Sequence, residues 1–434
     1  MTSAGDRFLA RLPLLAVYVL MPLAVLAGRV AERPEFSQRF GPQGLTPWLV
    51  LAGLALVVSL GRDIHARRPL SRASWLGLGL AVLMAVAVHL GLRLFGPVLS
   101  QAQDLAPLLD ELRLPALVLF AAAWTFCFGA PRRETLVHLG GALGALLALD
   151  FLVTAIMARQ VVLGGGFLLG GGQAASDTMA FLLLIALCAT LDLPEAHSPE
   201  AAGANLSGLP VSTGSAVSAT SPWGLSRWLV LAGLFVTFSR PGLLAAGGVV
   251  LLLERGPLQE RLALACACIL GIWMSMALPL ASTLGGGEDL GLSWYLTAVV
   301  EALKQEPGAW LVGLPLNEPV ALAMPDVGGL DWAPEAAGLP VSAFDIPSSW
   351  LRLLAGWGLG GPLLAAAGML ACALHGRRRF GFGLLLATLL AAALTPALHT
   401  PASAGALALA FACAWRSPPE PAPTPVPGAA RADG

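Results

Sequence analysis

Long apolar runs separated by short polar segments make up most of this chain. An α-helix needs about 20 apolar residues to cross the hydrocarbon core of a bilayer. Runs of roughly this length recur from one end of the sequence to the other. The pattern predicts an all-α, polytopic integral membrane protein with about twelve transmembrane helices. The predicted spans are residues 9–27, 47–60, 74–97, 114–130, 136–157, 176–192, 227–239, 241–254, 261–281, 349–374, 380–396 and 401–415.

Two longer polar segments lie within the predicted transmembrane domain, residues 1–417. Residues 193–226 are rich in Ser, Ala, Gly and Thr, which predicts a flexible cytoplasmic linker. Residues 282–348 form one large loop on the opposite side, with nine acidic residues against a single Lys. Within this loop, apolar spacing predicts an amphipathic helix over about 292–305, with its tryptophans at the membrane interface and its acids toward water. The Pro-rich tail, residues 418–434, is predicted to be disordered.

The basic residues give the orientation of the predicted spans. Of the 25 basic residues, 24 are Arg, and Lys304 is the only Lys. With the N-terminus inside, sixteen basic residues lie in inner segments and eight in outer segments. Because cytoplasmic loops carry the excess of Lys and Arg, both termini are predicted to be cytoplasmic and the large loop to face outward.

Composition excludes several other classes of protein. The 434 residues are 56% hydrophobic and only 12% charged, with a mean hydropathy of +0.76. Soluble domains are usually about 25% charged, so a soluble enzyme and a disordered protein are both excluded. A net charge of −1 gives no indication of a nucleic-acid partner. The six cysteines all lie in apolar runs, and no metal or cofactor follows from the Cys or His spacing.

Ionisable residues within predicted spans are costly and need a reason. His89 and Arg93 are four residues apart and share one face of the third span. Asp150 lies in the outer half of the fifth span, and Asp177 begins the sixth. Each of these residues either forms an ion pair or extends its polar group to the membrane surface. The alternative is that it lines a polar cavity that opens outward.

A sharper pattern occurs where one predicted span ends and the next begins. The sequence there is Ser239-Arg240-Pro241-Gly242, flanked by apolar residues on both sides. Proline lacks an N–H and glycine is permissive, so the helix is predicted to break at this point. A break leaves free backbone N–H groups beside a fixed guanidinium. That arrangement suits an oxyanion such as a diphosphate.

The order of motifs from about residue 160 to residue 375 resembles the O-antigen ligase and polymerase superfamily of bacterial envelopes. That family combines a Ser-Arg turn after an apolar span, an amphipathic segment in a periplasmic loop, a Gly turn, and a Gly-rich helix start after the loop. The corresponding segments here are Gly164–Phe181, Ser239-Arg240, the helix that includes Trp294 and Glu301, Val312-Gly313-Leu314-Pro315, and Ser348–Leu364.

The resemblance implies a metal-independent glycosyltransferase with a glycosyltransferase C-like fold in the bacterial inner membrane, needing no cofactor. Its partners would be an undecaprenyl diphosphate-linked glycan donor, a lipid or glycan acceptor, the lipid bilayer, and polysaccharide assembly proteins, with no nucleic acid. Arg240 matches the family-type catalytic residue. The other catalytic candidates are Arg352 and His89. The substrate-binding candidates are Arg93, Ser239, Asp150, Asp177, Glu301 and Glu306.

Two departures from the family pattern leave the function open. Ligases of this kind usually have a His just before the helix that begins here at Ser349, and an Arg shortly before the position of Trp294; both are missing. The candidates to compensate are Arg352, Arg93, His89 and the acids of the loop. His399 is the only His predicted to lie in an outer loop. The alternatives are therefore a polymerase, a divergent ligase, a catalytically impaired partner in polysaccharide assembly or export, and a transporter or flippase.

Overall fold

The computed structural model shows a mostly helical protein. It describes residues 4–32, 39–66, 111–158, 173–191, 222–277, 292–314, 320–322, 338, 340–341, 346–375 and 378–416. Within these described residues, three helices are long and apolar enough to cross a membrane, namely Phe8–Arg29, Arg133–Met157 and Leu258–Ser275. Eight further apolar helices in the described residues have only 10–17 residues. Twelve full-length spans are therefore not supported. The predicted span at 74–97, with His89 and Arg93, lies outside the described residues, as does the tail.

The helices alternate with short connections through most of the chain. Before the large loop, they are α1 (Ala4–Leu15), continued by a π-helical turn (Ala16–Leu20) into α2 (Met21–Val30), then α3 (Thr46–Ala66), α4 (Arg113–Phe128), α5 (Arg133–Ala158), α6 (Gln173–Thr190), α7 (Pro222–Thr237), α8 (Arg240–Leu253) and α9 (Leu258–Ala277). In and after the loop they are α10 (Leu292–Gln305), α11 (Ala309–Val312), α12 (Ser349–Trp357), α13 (Gly360–His375), α14 (Arg378–Ala391) and α15 (Pro401–Arg416).

Helix α6 forms the centre of the bundle. It packs against α5, α7, α8, α14 and α15, and every residue from Met179 to Ala189 is buried. The side chains of α6 are apolar on all faces, which is the pattern expected of a helix enclosed by others. Tyr18 adds a hydrogen bond to this helix, since its hydroxyl donates to the carbonyl oxygen of Leu182 at 2.8 Å.

Helices α5 and α7 approach each other closely because both carry glycine at the contact. A Cβ atom added to Gly144 would lie 2.1 Å from the carbonyl oxygen of Leu229, and one added to Gly233 would lie 2.5 Å from the Cα of Gly144. Small residues at such crossings allow backbones to touch, which is a common basis of helix association in membranes. The contact fixes the end of α7, from which the Ser239-Arg240 segment follows.

One predicted span is broken in two. The sequence predicted a single helix over 349–374, but α12 ends at Trp357 and α13 starts at Gly360. Gly358 lies between them with φ +61°, a conformation that side chains with a Cβ rarely adopt. The break allows the backbone N–H of Leu359 to donate to the carbonyl oxygen of Trp310 at 2.8 Å. The N–H of Leu314 likewise donates to the carbonyl oxygen of Ala355 at 2.6 Å. The segment around Gly313 and the helix break at Gly358 therefore pack against each other.

The large loop has its own small core. Helix α10 covers Leu292–Gln305, as the apolar spacing predicted, and its acids Glu301 and Glu306 are exposed. Trp294, however, is only 4% exposed and packs with Ala298 and Leu322, so its predicted place at a membrane interface is wrong. The sequence also gave no sign of the two short antiparallel strands beside it, β1 (Val320–Ala321) and β2 (Pro340–Val341).

Candidate functional site

The residues that could act chemically gather at one end of the helical bundle. Ser176, near the start of α6, donates from its hydroxyl to the carbonyl oxygen of Thr237 at the end of α7, at 2.6 Å. Gly383, near the start of α14, lies against Cys188 near the end of α6. Helix α14 therefore runs antiparallel to α6, and the turn between α14 and α15 is at the same end as Ser176. Helix α8 starts there too, directly after α7.

The predicted helix break before Arg240 is confirmed, and it lies at Phe238 and Ser239, ahead of the proline. Helix α7 ends at Thr237, Phe238 has the unusual φ of +48°, and α8 starts at Arg240. Ser239 is the N-cap of α8, with its Oγ accepting a hydrogen bond from the N–H of Gly242 at 3.2 Å. Ser, Thr, Asp and Asn are favoured at this position because they satisfy otherwise unpaired helix-end donors.

The expected cradle of free backbone N–H groups at this break is wrong. Gly242 donates to the Ser239 side chain, Leu243 donates to the Ser239 carbonyl oxygen at 2.9 Å, and Pro241 has no N–H to offer. The cap has therefore used the donors that an anion would need. The fixed positive charge at this point is the guanidinium of Arg240 itself.

Arg240 is held from one side by α9. Its Nε donates to the hydroxyl of Ser275 at 3.2 Å, and its Nη2 donates to the carbonyl oxygen of the same residue at 3.0 Å. A guanidinium has five N–H donors, so three remain outside these two bonds. Arg240 is half-buried and Ser275 is buried. The guanidinium is thus oriented by a neutral partner and keeps its charge and most of its donors for another group.

Asp177 and Ser239 form a second polar contact beside Arg240. The hydroxyl of Ser239 donates to Oδ1 of Asp177 at 2.5 Å, and both side chains are buried. Two of the separately predicted substrate-binding residues are therefore brought together from positions 62 residues apart. Because Asp177 is engaged with the helix cap, its place in the fold is to anchor the residue that precedes Arg240.

A buried cluster of Glu111, Arg352 and His399 is the most unusual polar feature of the described residues. Glu111 precedes α4, Arg352 lies in α12, and His399 lies in the turn between α14 and α15. Nε of Arg352 donates to Oε1 of Glu111 at 2.8 Å, and Nε2 of His399 lies 3.5 Å from Oε2 of Glu111. Glu111 is 1% exposed, His399 8% and Arg352 9%. We call these three residues the buried cluster.

The electrostatics of the buried cluster set the protonation of its members. Burial alone would raise the pKa of Glu111, but the neighbouring His399 and Arg352 together lower it from 4.5 to about 2. Burial lowers the pKa of His399, Glu111 opposes that effect, and the positive charge of Arg352 adds to it. At neutral pH the cluster therefore holds a carboxylate paired with a guanidinium, beside a neutral imidazole.

Two groups of the buried cluster have unused hydrogen-bonding capacity. Within the described residues, Oε2 of Glu111 and both ring nitrogens of His399 have no hydrogen-bond partner. The 3.5 Å between Glu111 and His399 is longer than an ordinary hydrogen bond. Leaving buried polar atoms unpaired costs about 1–3 kcal/mol each, so each such atom calls for an explanation. Other buried side-chain atoms of the described residues, Nε1 of Trp350 among them, also lack a partner.

The turn that carries His399 is fixed to the start of α12. Ser348 caps α12 by accepting from the N–H of Leu351 at 3.2 Å. The hydroxyl of Ser349 donates to the carbonyl oxygen of Thr395 at 2.7 Å and accepts from the N–H of Leu398 at 3.0 Å. The resemblance placed a His just before this helix. The structure instead brings His399 to the same helix from a turn 50 residues further along the chain.

An apolar groove of about 730 Å³ runs along α4, α13 and α15. It is lined at one end by Leu114, Leu353 and Leu398, and toward the other end by Phe411 and Trp415. The first three are close chain neighbours of Glu111, Arg352 and His399. The groove therefore extends from near the buried cluster along the bundle, and its apolar walls suit a hydrocarbon chain.

The other predicted site residues lie apart from these contacts. Asp150, in the second half of α5, interacts electrostatically with Arg29 at the end of α2. Glu301 and Glu306 are exposed on α10 and after it. His89 and Arg93 belong to the part of the chain that the structure does not describe. Among the residues it does describe, no group of three or more His, Cys, Asp or Glu side chains could hold a metal ion.

The sequence reasoning missed Glu111 altogether. It lies in a polar stretch between two predicted spans, where a single acid gives no signal by itself. Its partners Arg352 and His399 were both noted, but separately. A signal was nevertheless available, since all three ionisable residues fall at predicted outer ends of spans, where buried charge must be paired.

The comparisons with known proteins add no family or function. No family model matches the chain. No curated protein matches it significantly. The fold and site define a mostly helical protein with three candidate membrane-spanning helices and two buried polar centres at one end of the bundle.

Proposed function

We propose that this protein transfers or polymerises a glycan from an undecaprenyl diphosphate-linked donor at the outer face of the bacterial inner membrane. In this proposal about twelve apolar segments cross the membrane, both termini are cytoplasmic, and the shorter helices complete their spans with flanking residues. Many large apolar side chains on the bundle surface are exposed, among them Ile156 and Met157 on α5, Trp273 on α9 and Leu364 on α13. A hydrocarbon environment would cover these faces at no hydrophobic cost.

The observation that carries the proposal is the oriented guanidinium of Arg240. Glycosyl transfer from a lipid diphosphate needs a cation that stabilises the departing diphosphate. Arg240 is fixed by two hydrogen bonds to Ser275 and keeps three donors for a ligand. Asp177 accepts a hydrogen bond from Ser239, the cap residue directly before Arg240, and so supports the start of the helix that carries the guanidinium.

The groove supports a lipid-linked donor. Its walls are almost wholly apolar, and the end lined by Leu114, Leu353 and Leu398 lies beside the buried cluster. The prenyl chain of the donor would occupy the groove and bring the diphosphate-linked sugar to the end of the bundle where Arg240 and the buried cluster lie. The reaction needs no metal, since Arg240 supplies the cation.

The test is a glycan profile from cells that carry single variants of the full-length protein. Arg240→Ala and Arg240→Lys should both lose transferred glycan, because an ammonium cannot reproduce the paired N–H donors of a guanidinium. Loss of one such contact costs about 10²–10³ in rate. Arg255→Ala, at an exposed Arg, is the matched control and should behave as wild type.

The outcome also separates the alternatives. Wild-type glycan from Arg240→Ala, at equal membrane protein level, would contradict the catalytic role and favour a non-enzymatic partner in polysaccharide assembly. In a deletion strain, short unextended glycan indicates a polymerase, whereas accumulated lipid-linked polymer with a bare acceptor indicates a ligase.

A further inference from the structure

We propose that the apolar groove along α4, α13 and α15 binds an acyl chain of an anionic phospholipid at the end lined by Trp415, with the lipid headgroup held by arginines beyond that end. This lipid site goes beyond the proposed glycosyl transfer and does not depend on it, since it needs only that the bundle lies in a bilayer. The prenyl chain of the proposed donor would enter at the opposite end of the groove, beside the buried cluster.

The three helices that form the groove run side by side in the same direction. Glu111 precedes α4, Arg352 lies in the helix before α13, and His399 precedes α15. Both Arg352 and His399 contact Glu111, so the three helices start at one end of the bundle. The lining of the groove continues to the last turn of each helix, at Thr125, Cys372 and Trp415. The far end of the groove is therefore formed by the ends of all three helices.

The groove is open along its side to the surroundings of the bundle. Among its lining residues, Val118 of α4 is 49% exposed, Leu364 of α13 is 75% exposed and Trp415 of α15 is 48% exposed. Gly368, midway along α13, also lines the groove, and a Cβ atom at this position would meet nothing within 4 Å. A hydrocarbon chain can therefore enter the groove directly from the bilayer and pack against its apolar walls.

Two aromatic rings mark the end of the groove at Trp415. The ring of His375, the last residue of α13, stacks on the ring of Trp415 with the centroids 5.1 Å apart and an angle of 11° between the planes. Both residues are exposed. Tryptophan is enriched where the hydrocarbon layer meets the headgroup layer, because its ring is apolar and its N–H is polar. This end of the groove therefore suits the depth of the lipid headgroups.

The chain is strongly basic just beyond this end. Residues 129–134 follow α4, residues 376–379 follow α13, and residue 416 ends α15; together they include six arginines and a single acid, Glu134. Arg132 is exposed, and Arg379 has its Nη1 atom buried without a hydrogen-bond partner in the described part of the chain. Arginines beside membrane spans also orient a protein in the bilayer, but these come from all three helices that bound one groove.

The charge and the apolar groove together indicate an anionic phospholipid. A guanidinium donates paired N–H groups to phosphate oxygens, and basic pockets between transmembrane helices bind anionic headgroups. A zwitterionic lipid carries an ammonium group that the arginines repel. A soluble phosphate ester has the charge but no chain for the groove. Phosphatidylglycerol has both features and is the probe for the site.

The experiment uses the full-length protein, purified in mild detergent and freed of native lipid. The protein is mixed with equal amounts of phosphatidylglycerol and phosphatidylcholine that carry the same acyl chains, and the bound lipids are counted by native mass spectrometry over a range of lipid concentrations. The test variants are Arg132→Gln, Arg379→Gln and Gly368→Phe. Arg255→Gln is the control for charge, at an exposed Arg between α8 and α9. Gly360→Phe is the control for the added ring, at an open position of α13 that does not line the groove.

We expect the wild type to bind phosphatidylglycerol more tightly than phosphatidylcholine. Arg132→Gln and Arg379→Gln should each weaken the binding of phosphatidylglycerol about fivefold, because the headgroup loses one cation, and should leave the binding of phosphatidylcholine unchanged. Gly368→Phe should weaken the binding of both lipids, because the ring fills the space that the acyl chain needs. Both controls should bind the two lipids as the wild type does.

Each of four results would overturn the lipid site. Equal wild-type affinity for the two lipids would show that the arginines serve only to orient the chain in the membrane. An equal loss in Arg255→Gln would show a general effect of charge. Wild-type binding by Gly368→Phe would show that the acyl chain lies elsewhere. Competition by glycerol 3-phosphate as strong as that by the whole lipid would show that the phosphate alone is recognised.

If Gly368→Phe fails to accumulate, Gly368→Leu takes its place and is judged in the same way. None of these measurements uses glycan transfer, so their failure leaves the proposed function standing.

Discussion

Replacing Arg352 by Leu should destabilise the folded protein more than any exposed substitution. The change leaves the Glu111 carboxylate, which is 1% exposed, without its guanidinium partner. A buried ion whose partner is removed cannot regain its lost hydration, so breaking such a pair typically costs about 3–5 kcal/mol. Replacing both residues by Leu removes the uncompensated charge and should recover much of that loss.

The pKa of Glu111 gives a magnitude for the combined effect of burial, His399 and Arg352 on this carboxylate. Its fall from 4.5 to about 2 corresponds to about 3 kcal/mol, since each pKa unit is worth about 1.36 kcal/mol. Because the folded pKa is lowered, this stabilisation is present above pH 4.5 and is lost as the pH falls toward 2. The free energy of unfolding of the wild type should therefore fall steeply as the pH drops below 4.5. In variants that lack Glu111 it should fall less steeply.

The assay is unfolding of the purified protein in detergent by added denaturant, followed by circular dichroism at pH 7 and pH 3.5. The four proteins are wild type, Arg352→Leu, Glu111→Leu and the double variant. We expect a coupling free energy of about 3 kcal/mol at pH 7. The control is the Arg227–Glu254 pair, whose side chains are 31% and 12% exposed. Its coupling should be smaller than that of Glu111 and Arg352, because its charges keep more contact with water. Additive single effects at Glu111 and Arg352, within about 0.5 kcal/mol, would refute the reasoning.

Two further substitutions test the packing around the site. Gly144→Ala should destabilise the protein by more than about 2 kcal/mol and lower its folded level in membranes, since the new Cβ would lie 2.1 Å from the Leu229 carbonyl oxygen. Gly53→Ala is the control, because a Cβ at that position meets nothing within 4 Å. Equal levels of the two variants would contradict the close helix crossing. Ser239→Ala should cost at least about 0.5–2 kcal/mol in the same denaturant assay, because the N–H of Gly242 loses its cap and the buried Asp177 carboxylate loses the Ser239 hydroxyl. Wild-type stability of Ser239→Ala would contradict this role of the cap.

Features determined by neighbouring residues were predictable from the sequence. The break between α7 and α8 follows from Ser239 to Gly242, where a cap residue precedes Pro and Gly. Helix α10 follows from its apolar spacing. In both cases the signal lies within a few residues, where helix period and backbone restriction act directly.

Features determined by distant residues were not predictable in the same way. Glu111 and Arg352 are 241 residues apart, and no feature of the sequence near either residue indicates that they are in contact. Trp294 was predicted at an interface from its chemistry, but the small strands that bury it were not foreseen. The break at Gly358 was missed because an apolar run looks continuous even where a backbone conformation interrupts it.

The strand pair β1 and β2 has a consequence for how the large loop can change. Val320 pairs with Val341, and the N–H of Gly338 donates to the carbonyl oxygen of Leu322 at 2.8 Å. The two residues that flank 323–337 in the sequence, Leu322 and Gly338, are therefore held side by side. Lengthening a segment whose ends are already joined costs only about 0.6 kcal/mol per doubling. The stretch is thus a natural position for an inserted tag, and one where the loop could evolve new reach while Arg352 and His399 keep their geometry.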